Sequence, residues 1–136
     1  MNNTDPPSTR PSASDLVRDY LAAMEVRNIS KANAFLAKGF QMTFPGDAVF
    51  QTLEELVAWA KDRYRFVTKD YNQFDEVNTD GGSIVYCFGK LSGEWPDGSP
   101  FNGIRFIDRF TVRGGKLIDQ QVWNDLAENT LQRQVG

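Results

Sequence analysis

Four strand-length runs in the second half of the chain constrain the fold more than any other feature. They lie at about 68–79, 83–94, 101–113 and 116–124. Only turns separate them: Asp80-Gly81-Gly82, Pro96-Asp97-Gly98-Ser99 and Gly114-Gly115. Glycine supplies the positive φ that tight hairpin turns require. No helical segment intervenes, so the runs form an antiparallel meander. Helical periodicity is confined to the first half of the chain. Helices first and hairpins afterwards is an α+β layout, with the helices on one face of an antiparallel sheet.

The hairpin from Phe101 to Asp125 is the most informative part of that meander. Ile104, Phe106, Phe110 and Val112 alternate with Arg105, Ile107, Arg109 and Thr111, the pattern of a half-buried strand. Asp108 interrupts it, because the period of two places this carboxylate in the middle of the apolar face. The last run ends in Trp123-Asn124-Asp125.

The first half has well-marked helix signals. Residues 1–11, rich in Asn, Thr, Pro and Ser, read as a disordered lead-in. Residues 12–136 then form a single domain. Ser12 caps a first helix over about 13–27, with Leu16, Val17, Tyr20, Leu21 and Met24 at helical spacing. Ser30 offers a cap for a short helix over 31–37, which Gly39 ends. Phe40 to Phe44 reads as a strand stopped by Pro45-Gly46. Thr52-Leu53-Glu54-Glu55 is a capping box for a third helix reaching about Arg65.

Composition excludes several function classes. Histidine is absent and Cys87 is the only cysteine. Ser-His-Asp and Cys-His catalysis are therefore excluded, as are histidine-ligated zinc and thiolate clusters. No cofactor or metal is expected. The net charge is −3 and no basic stripe occurs, so nucleic acid is not an expected partner. No apolar stretch approaches the roughly 20 residues of a membrane span. The first ten residues lack the apolar centre of a signal peptide. A lone thiol in the apolar run IVYCF points to a buried cysteine and a cytoplasmic protein.

The run from Ile84 to Leu91 is apolar on both faces: Ile84, Tyr86 and Phe88 on one, Val85, Cys87 and Leu91 on the other. Helices cover only one side of a sheet. A homodimer through the outer face is the simplest way to cover the second, and curvature of the sheet is the alternative.

Three helices followed by a four-strand meander resemble the nuclear transport factor 2-like, or cystatin-like, α+β superfamily. The details resemble its SnoaL-like, polyketide cyclase-like branch. The residues that carry the likeness are the opening SDLVRDYLAAMEVRN, the strand and turn Phe40 to Gly46, the phrase RFIDRFTVRGGKLIDQQVWNDL, and the closing Leu131-Gln132-Arg133-Gln134-Val135-Gly136. The resemblance implies a cone in which a strongly curved antiparallel sheet wraps around N-terminal helices and leaves a deep apolar pocket. Members include polyketide cyclases, ketosteroid isomerases, limonene epoxide hydrolase and scytalone dehydratase, together with non-catalytic binding and dimerisation domains. SnoaL-type cyclases use an aspartate with histidines nearby, and here only the carboxylate part transfers. Epoxide hydrolases of this fold use an Arg and two Asp. Trp123-Asn124-Asp125 matches one piece, but Tyr86 to Leu91 stands where the Arg-x-Asp partner belongs.

The catalytic candidates are accordingly Asp108 and Asp125. A carboxylate on an apolar wall is raised in proton affinity and could move a proton beside a carbonyl. Against this, Asp108 could pair with Arg63, Arg105 or Arg109, and Asp125 could cap a turn. Tyr20, Phe44, Trp59, Tyr64, Tyr86, Phe106, Phe110 and Trp123 are the candidate ligand-binding residues for a small apolar or polycyclic molecule, although aromatic rings are also ordinary core residues. Tyr64 or Tyr86 could donate to an enolate-like oxygen. Arg63 and Arg65 read as solvated helix charges, and Trp95-Pro96-Asp97-Gly98 as a turn or a pocket lip. The expected function is a small-molecule pocket, with cofactor-free isomerisation, cyclisation or dehydration of an apolar carbonyl compound by carboxylate chemistry. The alternative is a non-catalytic ligand-binding or dimerisation module.

Overall fold

The computed structural model describes residues 12–135, and side chains as far as Thr130. The expected lead-in over 1–11 and the terminal Gly136 lie outside the described residues.

Helix α1 (Ala13–Glu25) begins where Ser12 accepts a hydrogen bond from the Asp15 amide, and it buries Leu16, Val17, Tyr20, Leu21 and Met24. It stops two residues before the expected end. Arg27 takes a left-handed φ of 58°, which no helix continues. Asn28, rather than Ser30, caps α2 (Ile29–Asn33) by accepting from the Lys31 amide. The chain is extended from Leu36, so Gly39, expected to end a helix, lies inside β1 (Leu36–Phe44). Its φ is +83°, and the pairing register of that strand shifts between Leu36 and Gln41. Glycine thus serves a bulge there.

A three-residue strand, β2 (Ala48–Phe50), follows the turn at Pro45-Gly46. The capping box at Thr52 and Glu55 then opens α3 (Leu53–Ala60). This helix is shorter than its periodicity suggests. The amides of Arg63 and Tyr64 both bond back to the Ala60 carbonyl, and Arg65 donates to Glu94. The long strands are β3 (Phe66–Thr79), β4 (Gly82–Glu94), β5 (Pro100–Arg113) and β6 (Lys116–Asn124). A last helix, α4 (Leu126–Val135), follows the meander. It starts where Asn124 accepts from the Leu126 amide at 3.1 Å.

All six strands form one curved, open sheet in the order β2-β1-β6-β5-β4-β3. The sheet is antiparallel except between β1 and β6, which run parallel. Register shifts at Tyr71/Gln73, Leu91/Gly93 and Thr111/Val112 interrupt the long hairpins, and such irregularities bend a sheet. The helices pack on the inner face.

That inner face holds two apolar clusters. One gathers α1 against Val85, Cys87, Phe110, Val112 and Leu117. The other gathers Leu91, Trp95, Phe101, Ile104 and Phe106 near the ends of the hairpins. Tyr71 borders both. Tyr20 meets Phe35, Phe40 and Phe110 edge-on, which fastens α1 to the sheet.

At Gly89 and Gly93 the β3 backbone leaves no room for a side chain on β4. A Cβ on Gly89 would collide with the Asp70 carbonyl and Phe106, and one on Gly93 with the Phe66 carbonyl and Phe101. Gly89→Ala is expected to cost about 1–3 kcal/mol through forced backbone shifts, read as a lowered urea midpoint with an unchanged slope.

Candidate functional site

Between the second apolar cluster, the loop after α3 and the start of α4 lies a cavity of about 510 Å³. Phe44, Trp59, Tyr64, Trp95 and Phe106 give it aromatic walls, with Val67, Leu91 and Val122 between them. Pro45-Gly46 on one side and Leu126, Ala127 and Thr130 on the other form its edges. The early end of α3 matters here, because the turn after Ala60 brings Asp62, Arg63 and Tyr64 to the rim. The Arg63 guanidinium lies 3.9 Å from the centre of the Trp59 ring, a cation–π contact.

The polar feature of the inner wall is an ion pair. Lys69 Nζ donates to Asp108 Oδ2 at 2.6 Å. Asp108 is 0% exposed, whereas the Lys69 side chain keeps 22% of its surface. The second carboxylate oxygen, Oδ1, is buried and has no hydrogen-bond partner in the protein. Lys69 Nζ also lies 5.0 Å from the centre of the Phe106 ring. Burial alone would push the Lys69 ammonium down, but the charge of Asp108 and its hydrogen bond outweigh this and raise it above its ordinary value. Lys69 is therefore a fixed cation and no amine nucleophile.

Other ionisable groups around this pair are held neutral. Burial is the main reason that Tyr20 and Tyr71 are raised, and the Asp108 charge adds to it. Burial also pushes the Cys87 thiol up to about 12, with Asp108 contributing. Cys87 Sγ sits 3.7 Å from the Asp108 carbonyl oxygen. Among the described residues, no group of three or more His, Cys, Asp or Glu is placed to hold a metal.

The candidates from the sequence separate sharply. Phe44, Trp59, Tyr64, Phe106 and Asp108 come together at the cavity. Tyr20 and Phe110 do not border it, being 1% and 0% exposed in the core beneath α1. Tyr86 and Trp123 lie on the opposite face of the sheet, where Arg109 Nε donates to the Tyr86 hydroxyl at 3.4 Å and Trp123 is 51% exposed. Asp125 is also away from the cavity, because Arg105 Nε holds its carboxylate at 2.7 Å. Gln120 and Val122 point inward towards the end of β6, so Gln121 and Trp123 point out, whereas Leu117, before the register shift, is in the inner core.

Asp108 faces inward as its phase in the strand suggests, but its partner is a lysine on a different strand and not Arg63, Arg105 or Arg109. Lys69 escaped the sequence reading although a signal existed. It falls in phase between Val67 and Tyr71, both turned inward on β3, so it is the same kind of misplaced charge as Asp108. Trp95 and Pro96 join the wall as well as making the turn. Leu126, Ala127 and Thr130 also line the cavity, on α4, a helix absent from the sequence expectations.

No family model and no curated protein matches the sequence. Solved structures do match the fold. An NTF2-like protein of unknown function from Burkholderia pseudomallei superposes with a TM-score of 0.72 at 16% identity, covering 85% of this chain and 92% of that one. TerC, co-crystallised with polyporic acid, gives a TM-score of 0.73 at 14% identity over 86% and 94% of the two chains. A protein with a ketosteroid isomerase-like fold from Catenulispora acidiphila, in complex with trimethylamine, gives 0.64 at 14% identity over 83% and 86%.

Removing Lys69 alone would leave the Asp108 charge buried and unpaired. Lys69→Met is expected to destabilise by about 3–5 kcal/mol, and adding Asp108→Leu to recover most of that loss; a denaturant double-mutant cycle measures both. The folded-state affinity of Lys69 for its proton is raised, so its contribution is fully present below about pH 10.4 and is lost only as pH rises through the higher folded value. The Lys69 contribution should therefore hold unchanged as the pH rises to about 9. Cys87 should resist alkylation at pH 8 until the protein is unfolded, as thiol labelling with and without denaturant would show.

Proposed function

We propose that this chain, which has the nuclear transport factor 2-like fold, binds a small, largely apolar carbonyl compound in its aromatic cavity. The SnoaL-like branch suggested by its motifs and a cytoplasmic location belong to the same reading. One observation carries it: a cavity of about 510 Å³, walled by five aromatic rings, has a single ion pair at its inner wall. That size and that balance of many apolar groups to few polar ones suit a drug-sized organic ligand. The neighbours holding polyporic acid and trimethylamine support small-molecule binding in this fold.

Acid/base chemistry is the catalytic form of this proposal. Lys69 donates to the carbonyl oxygen. This form requires the Asp108 carboxylate, sealed in this structure, to open to the cavity. Oδ1 then takes a proton from the adjacent carbon, the electron pair moves onto the carbonyl oxygen, and Asp108 returns the proton elsewhere on the ligand. Isomerisation or cyclisation by such transfers needs no cofactor. The competing reading, a non-catalytic binding module, draws on the sealing of Asp108, which has no exposed surface. Asp125 supplies no second carboxylate, being paired with Arg105 outside the cavity. Loss of the α-proton signal of a bound ketone in D2O, followed by NMR, decides between them. Catalysis predicts exchange in the natural protein, slowed at least about a hundredfold in Asp108→Asn. No exchange above the solvent rate leaves the binding module.

A homodimer through the outer face of the sheet is the second part of the proposal. Phe88, Ile107 and Trp123 stand in register across β4, β5 and β6. Ile107 is 37% exposed and Trp123 51%. A row of this kind is a natural contact for a second copy of the same row about a two-fold axis. Light scattering should give about twice the 15.4 kDa chain mass. Ile107→Glu should shift it to one, and a monomer in the unaltered protein would sink the claim.

A further inference from the structure

We infer that Lys69 is the residue that grips the ligand's oxygen, and that the site accepts a neutral carbonyl oxygen in preference to a carboxylate. This rests on the cavity being a small-molecule site, and it adds what the site recognises. Both members of the ion pair border the cavity, but only Lys69 has surface to offer, 22% of its side chain against none for Asp108. An ammonium has three donors, and one of them is spent on Asp108 Oδ2 at 2.6 Å. Lys69 Nζ also sits beside the Phe106 ring, 5.0 Å from its centre, on the cavity wall. An acceptor oxygen on the ligand is the group that completes this site.

The choice between a neutral and an anionic oxygen follows from counting charge. Lys69 is already balanced by Asp108. The other charged residues of the wall, Asp62 and Arg63, also sum to zero. A carboxylate at Lys69 would put two anions on one ammonium, in a setting walled by Val67, Leu91, Trp95 and Phe106, where unbalanced charge is costly. A ketone, aldehyde or quinone oxygen takes the same hydrogen bond and brings no net charge.

Three probes of one shape separate the possibilities: 2-acetylnaphthalene, 2-ethylnaphthalene and 2-naphthoate. Their affinities for the full chain are read by tryptophan fluorescence and calorimetry, and the carbonyl stretch of the bound ketone by difference infrared. The ketone is expected to bind at least about tenfold tighter than both the hydrocarbon and the carboxylate. Its carbonyl stretch should move to lower frequency than in hydrocarbon solvent. Lys69→Met could fail to fold for want of a partner for Asp108, so Lys69→Met combined with Asp108→Leu is the working variant. It should bind the hydrocarbon and the ketone equally and lose the infrared shift. Tighter binding of the carboxylate, or a ketone preference surviving in the double variant, would overturn the inference while leaving the pocket reading intact; equal binding of ketone and hydrocarbon in the natural protein would overturn the carbonyl reading with it. Saturable binding of none of the three would overturn both.

Discussion

The Lys69–Asp108 pair is the constraint on which the inner face of this protein depends. Asp108 lies on β5 between Phe106 and Phe110, so one side of it touches the cavity cluster and the other the helix-covered core. Without Lys69 the buried Asp108 carboxylate would be left with no charge partner, at a high cost. With it, the core has a polar boundary at which close packing gives way to open space. The pair couples β3 to β5 across the intervening β4, so the same contact that balances the charge also ties down the outermost long strand.

Packing on either side of that boundary differs in kind. Beneath α1, Tyr20, Phe110, Val85 and Leu117 interlock at 1% exposure or less. Towards the hairpin ends the sheet bends, aided by its register shifts and by the close approach of β3 to β4 at Gly89 and Gly93. The helices there are too short to fill the concavity. Early termination of α3 is part of this, since the chain turns at Ala60 and lays Arg63 and Tyr64 along the rim. Aromatic rings line the remaining space without filling it.

Charge distribution between the faces of the sheet separates recognition from assembly. Arg105, Arg109 and Asp125 pair among themselves or with hydroxyls on the outer face, leaving the inner wall to a single ion pair. Alternation along β5 does this sorting, because Arg105, Ile107 and Arg109 point one way and Phe106, Asp108 and Phe110 the other. On β6 the same rule sends Trp123 outward, and Arg105 holds Asp125 just beyond the strand, which removes the residues that a motif resemblance made attractive.

Local chemistry was enough to determine the α+β layout, the long hairpins with their glycine turns, the cap of α1, the capping box of α3 and the inward phase of Asp108. Each depends on residues close together in the chain, where periodicity and turn geometry act directly. The parallel pairing of β1 with β6, the end of α3, the contribution of α4 to the cavity and the partner of Asp108 depend on residues far apart. Lys69 and Asp108 are 39 positions apart, and nothing in either strand names the other. Tyr20, Phe44, Phe106 and Phe110 are alike as apolar aromatics in sequence. Only the curvature of the sheet decided that Phe44 and Phe106 face open space while Tyr20 and Phe110 are packed solid, because a cavity is a property of how surfaces fail to meet and no single segment encodes it.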